Sequence, residues 1–176
     1  MGKIKFVLAI ALVSLSAYSH AAKQPERIDV SAKNDEFVSS AKGMLSQCQS
    51  AYLLEVETIK LSIDQKVLER KIAMGEGARY ANMQIERMSA EREVMEKKRR
   101  DGFDYIRCTD TAKNKIKETV KGYVSTFKKD NLRSFAKQIV SQWFVTIDTV
   151  GENNFREEFS KFDKAANDLK IELAVN

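Results

Sequence analysis

Residues 69–80 read ERKIAMGEGARY, and the two glycines inside this stretch decide the fold. Upstream of them the apolar positions Phe37, Ala41, Met44, Cys48, Tyr52, Val56, Ile59, Ile63 and Val67 recur at intervals of three and four, the period of one helix face. The pattern predicts one long helix from Asn34 to Met74, with Asp35 and Glu36 in a first turn where the macrodipole favours acids. Gly75 and Gly77 flank Glu76; each weakens a helix by about 1 kcal/mol and is a ready C-cap or turn former. Helical spacing resumes with Tyr80, Met83 or Gln84, Met88, Val94 or Met95, Phe103 and Ile106. The outer face of that segment is dense with charge, and Glu93–Lys97 and Glu96–Arg100 have the spacing of i,i+4 ion pairs. A reversal at Gly75 and Gly77 makes the two segments an antiparallel, coiled-coil-like hairpin over about 34–108.

The same reversal places the only two cysteines. Residues facing each other across such a hairpin have numbers summing to about 152; Cys48 and Cys108 sum to 156, about one turn of combined slippage at ~1.5 Å per residue. The register also sets Tyr52 near Phe103, Ile59 near Val94, and Leu68 near Ile85 or Met88. A disulfide needs Cα atoms within about 7 Å, so Cys48 and Cys108 are expected to staple the open end of the hairpin. Redox catalysis usually employs closely spaced thiols, as in C-x-x-C, and that spacing is absent.

Beyond Cys108 three further stripes follow. Ala112, Ile116, Val120, Tyr123 and Phe127 form the first. After a break at KKDN, with Asp130 or Asn131 as N-cap, Leu132, Ala136, Ile139, Trp143, Ile147 and Val150 form the second, ending at Gly151. Asn153 or Asn154 then caps a helix with Glu157 and Glu158 in its first turn and a 4-3-4-3-4 stripe of Phe155, Phe159, Phe162, Ala166, Leu169 and Leu173. Trp143, Phe144 and the phenylalanine row read as core rather than as a ligand pocket. The expected architecture is all-α: one domain over 34–176, a long hairpin joined to a small bundle of shorter helices over about 109–174.

The N-terminus predicts export. Lys3 and Lys5 precede an uncharged apolar run from Phe6 to Leu15, and Ser19-His20-Ala21 offers small residues at a cleavage site before Ala22. The run is shorter than the roughly 17–25 residues of a spanning helix. Residues 1–21 are therefore expected to be a signal peptide and 22–33 a polar leader, with no transmembrane segment after cleavage. The product is expected to be soluble, in the periplasm where the source cell has two membranes. Disulfides persist in such compartments.

Cleavage takes two of the 30 basic residues and none of the 25 acidic ones, leaving about +3, a mild charge that does not suggest nucleic acid. It also removes His20, the only histidine. That excludes a Ser-His-Asp triad, a histidine-containing zinc site and the Glu-x-x-His ligands of a di-iron bundle. No phosphate-binding glycine loop is present. The expectation is a protein without catalytic residues, metal or cofactor.

Charge is uneven along the chain. Arg107 to Arg133 is strongly basic, with Lys113, Lys117, Lys121 and Lys128 on one flank of the apolar stripe, whereas residues 148–176 are acidic. The simplest reading packs the basic helix beside the acidic C-terminal one or leaves it as a solvated face; a sharper reading makes these lysines a peripheral surface for an anionic membrane or lipopolysaccharide.

In general character the chain is similar to periplasmic holdase chaperones with helical tentacles: exported, small, basic and coiled-coil-like. It lacks the strand-forming segments of their body and the Leu-Thr-x-x-Gln repeats of the hook-shaped stress chaperones. Minor pilus proteins with helical hairpins are similar in shape alone. The primary expectation is an envelope protein that contacts another envelope protein, with self-association left open. Holdase activity and anionic-surface binding are the alternatives.

Overall fold

Five α-helices run through residues 29–75 and 80–175, the part of the chain that the computed structural model describes (backbone only at 80 and 81). They are α1 (Val30–Met74), α2 (Tyr80–Asp101), α3 (Asp104–Thr126), α4 (Asp130–Asp148) and α5 (Phe155–Val175), with no strand among the described residues. Residues 1–21, read above as a signal peptide, most of the expected polar leader and Gly77 lie outside these residues.

Helix α1 starts a turn earlier than Asn34. The Asp29 carboxylate accepts from the backbone N–H groups of Ser31 (3.0 Å) and Ala32 (3.2 Å), satisfying two donors that a bare helix start leaves open. Asn34 is instead buried, and its side-chain oxygen accepts from the Tyr123 hydroxyl at 2.8 Å. The helix runs 45 residues, about 68 Å at ~1.5 Å per residue, and ends at Gly75, whose φ of +61° suits a residue without a Cβ.

This one helix belongs to two bodies. Its first half packs with α3, α4 and α5 around a core containing Leu45, Ile116, Phe127, Ile139, Trp143 and Phe162. Trp143 is fully buried, and its indole N–H donates to the Ala41 carbonyl at 2.9 Å, tying α4 to the first third of α1. Phe37 stacks on Tyr123 with ring centroids 3.8 Å apart. The second half of α1 pairs with α2, where only Ile63, Ala90 and Val94 are buried, flanked by Ile59 and Val67. A fully buried large apolar side chain contributes about 1.5–3 kcal/mol, so the bundle carries most of the stability and the hairpin little.

The hairpin has the expected direction, with local corrections. The helix read as continuous from Tyr80 to Cys108 breaks at Gly102 (φ +80°), so α3 begins afresh after Phe103, and Cys108 and Ile106 lie on α3. Tyr52 meets Tyr105 edge-on at 5.3 Å, and the Tyr105 ring in turn lies 5.9 Å from that of Phe103. Ile59 and Val94 share one cluster, as the register requires. Leu68, Ile85 and Met88 do not pair; all three are exposed, half a turn round their helices from the contact line. Glu93, read as a partner for Lys97, reaches across the hairpin to Lys66 and Arg70 instead.

Cys48 and Cys108 form the disulfide, with Cα atoms 5.4 Å apart, at the base of the hairpin and remote from Gly75. Basic α3 packs on α1 and α4 and makes no contact with α5, so the pairing of basic and acidic helices does not occur.

Candidate functional site

The base of the hairpin is the most constrained polar site. Glu55 faces α2 from one turn before Ile59 and is only 5% exposed. Its carboxylate accepts from Lys98 Nζ at 2.7 Å and from the backbone N–H groups of Asp104 (3.2 Å) and Tyr105 (3.4 Å). The residue at the N-cap position of α3, Phe103, supplies no capping side chain, so a carboxylate from α1 performs that role. Its hydrogen bond to Glu55 raises the Lys98 pKa above the ordinary lysine range, against the effect of partial burial. Arg107, hydrogen-bonded to Asp104, lowers the Asp104 carboxyl pKa. One cluster thereby fixes α1, the end of α2 and the start of α3 to one another.

Two further contacts rest on the two turns of α1 that precede Glu55. The Gly151 N–H donates to the Gln49 side-chain oxygen at 3.4 Å, and a Cβ at Gly151 would lie 2.9 Å from the Tyr52 ring. Gly151 also has φ +89°. Both the backbone conformation and the close approach of α1 therefore demand glycine at this corner.

Above the base the hairpin is held by a polar ladder: Lys66–Glu93 (2.6 Å), Arg70–Glu86 (3.0 Å), Arg70–Glu93 (3.1 Å) and Asp64–Arg87 (3.4 Å). The Lys66 hydrogen bond lowers the Glu93 pKa. Pairs this exposed contribute little individually. Ladder and apolar contacts occupy only the inner faces. On the far side of α1 from α2, Leu54, Leu61, Leu68 and Ile72 form a row and are 56–72% exposed. Ile85 and Met88 are likewise exposed on the outer side of α2. Three of the leucines are spaced by seven residues, the repeat of a coiled-coil seam. The row is about 27 Å long at ~1.5 Å per residue.

The lysine flank divides in the structure. Lys113 is taken by Asp148 at 2.5 Å, and Lys117 is exposed. Lys121 and Lys128 border an open trough between α3 and α4, where Arg133 and Lys137 form the other wall. The hairpin tip is described only at Gly75.

A cleft of about 390 Å³ between α1 and α3, near the Phe37–Tyr123 stack, lacks a catalytic arrangement. Its Thr119 and Thr126 hydroxyls donate to carbonyls of their own helix, and Lys33 is paired with Glu36. Among the described residues no group of three His, Cys, Asp or Glu side chains could hold a metal ion, and no helix is long and apolar enough to cross a membrane.

No family model, curated protein or solved structure matches this chain.

Sequence reasoning missed Glu55, the outer leucine row and the second basic wall. Glu55 sits at the helical spacing of the α2-facing stripe, four before Ile59, and that signal could have found it. The Leu54–Leu61–Leu68 repeat was equally legible, on the face of α1 opposite the Ile59–Ile63–Val67 stripe.

Proposed function

We propose that this chain is an exported, non-catalytic helical protein that acts in the cell envelope through protein–protein contact, and that the outer face of its hairpin makes the contact. The row Leu54, Leu61, Leu68 and Ile72 carries the reading. Large aliphatic side chains in line on a charged, otherwise solvated helix forgo burial in their own chain, and contiguous exposed apolar surface of this kind marks interaction sites. Heptad spacing suits a partner helix laid along α1 with left-handed coiling. The division of labour supports the same reading: a stapled bundle anchors one end of α1, while the projecting end spends little of its apolar surface internally. Export rests on the N-terminal pattern of residues 1–21, and sequencing of the mature N-terminus checks it, with Ala22 or Lys23 expected.

The contact is tested by affinity isolation from the envelope fraction with wild type and with Leu61→Glu/Leu68→Glu. A partner retained by wild type and lost by the variant, at unchanged helicity, supports the reading. Equal retention by both places the contact elsewhere. A variant that instead loses suppression of aggregation of an unrelated denatured protein, with no specific partner, makes the protein a holdase.

A further inference from the structure

The trough between α3 and α4 brings together cations that sequence distance separates. Lys121 stands near the end of α3, Lys128 in the short connection that follows it, and Arg133 and Lys137 on the first two turns of α4. Lys121, Lys128 and Lys137 are exposed and pair with no carboxylate among the described residues. Arg133 donates through Nε to the Phe127 carbonyl at 3.2 Å, and its contact with Asp130 is a long 3.4 Å to a side chain that is 96% exposed. The opposite end of the same helix pair is neutralised, because Lys113 meets Asp148 there. Beneath the cations the trough floor is apolar, formed by the half-buried Val120 and Val124.

We propose that this trough is a peripheral docking surface for the anionic phospholipid headgroups of a bilayer. Three features select that partner. Cations left without carboxylates on both walls repel one another until an anionic surface neutralises them, so the charge complementarity is to an acidic plane. The trough is open, about 570 Å³, and Lys121, Lys128, Arg133 and Lys137 all line it, which fits several headgroups rather than one enclosed anion. Basic side chains over an apolar floor match the headgroup–acyl boundary, where long stems lie against apolar surface while the charges stay hydrated. The surface is separate from the hairpin row, so membrane docking and partner contact stand or fall independently.

Each basic residue near an anionic bilayer adds about fivefold to partitioning, being worth ~1 kcal/mol. The test uses the disulfide-intact mature chain and co-sedimentation with vesicles of phosphatidylcholine containing a quarter phosphatidylglycerol, against phosphatidylcholine alone, at low salt. Wild type is expected to bind only the anionic vesicles and to release them at about 0.5 M salt, where screening is within a few ångströms. Lys121→Gln/Lys128→Gln/Lys137→Gln should weaken binding about 100-fold. Lys60→Gln/Lys97→Gln/Lys164→Gln, the same charge change on other exposed positions, should weaken it less than about fivefold. All six lysines are exposed, so circular dichroism should be unchanged in both variants. Absence of anionic-vesicle binding by wild type overturns the proposal, as does equal loss in both variants, which would reduce the effect to net charge. Displacement of bound vesicles by millimolar inorganic phosphate would indicate a free-anion site and overturn it too.

Discussion

Glu55→Ala is the most informative single substitution for the fold. It removes the acceptor of one charged and two backbone donors at the junction of three helices. Loss of a capping side chain costs about 1 kcal/mol, within a range of about 0.5–2. Breaking a charge-assisted hydrogen bond costs about 1.5–3 kcal/mol more. The full penalty of about 3–5 kcal/mol for orphaning a buried charge does not apply, because the Lys98 side chain is a quarter exposed and hydrates once released. The expected destabilisation is therefore about 2–4 kcal/mol. Glu55→Gln, which keeps one acceptor but not the charge, should cost about half as much. Glu57→Ala, one residue pair along on the exposed side of α1, should stay within about 0.5 kcal/mol. Urea unfolding followed by circular dichroism measures all three, and amide exchange localises the effect. Asp104 and Tyr105 N–H groups should lose protection first, with the core around Trp143 unaffected under native conditions. If Glu55→Ala matched Glu57→Ala in stability, the account of a carboxylate on α1 capping α3 would be refuted.

The staple should be measurable in the same assay: Cys48→Ser/Cys108→Ser should lose up to about 4 kcal/mol by the chain-entropy estimate for a 60-residue separation, with most helical signal retained. Free thiols in non-reducing peptide maps of protein purified without reductant would contradict the bond itself. Gly151→Ala should destabilise by about 1–3 kcal/mol from the backbone conformation alone. Tyr52→Ala in the same chain should relieve only the additional clash with the ring, so a fully additive double mutant would contradict the close approach. Burial raises the Tyr123 phenol pKa. The folded state thus holds that proton more tightly than the unfolded state, whose phenol titrates near 10. The associated stability is complete below about pH 10 and falls as pH rises beyond it. Tyr123→Phe should flatten that alkaline decline, at the expense of the hydrogen bond to Asn34.

How much of this was legible in the sequence depended on whether a feature was periodic or pairwise. The stripes, the reversal near Gly75 and the level of Cys48 against Cys108 follow from repeats of three and four residues, and burial drives them. Gly102 was not legible, because a single glycine within EKKRRDGF is tolerated in many helices and only its left-handed backbone marks the break. Glu55 looked like one more acid on a charged helix until α3 brought its open N–H groups alongside. The basic surface was half visible: Lys121 and Lys128 are seven residues apart in the sequence, but Arg133 and Lys137 join them only once α4 folds back along α3. Lys113 belongs with them in sequence and not in space, since Asp148 neutralises it.

The central functional claim, contact through the outer row of α1, is tested most directly by a photo-crosslinking amino acid at position 61 in the producing cells, with position 138 on the exposed side of α4 as control. The account predicts one discrete crosslinked product from position 61, absent from position 138 and lost when Leu54→Glu and Leu68→Glu are added. No product from position 61, or the same product from both positions, would contradict it.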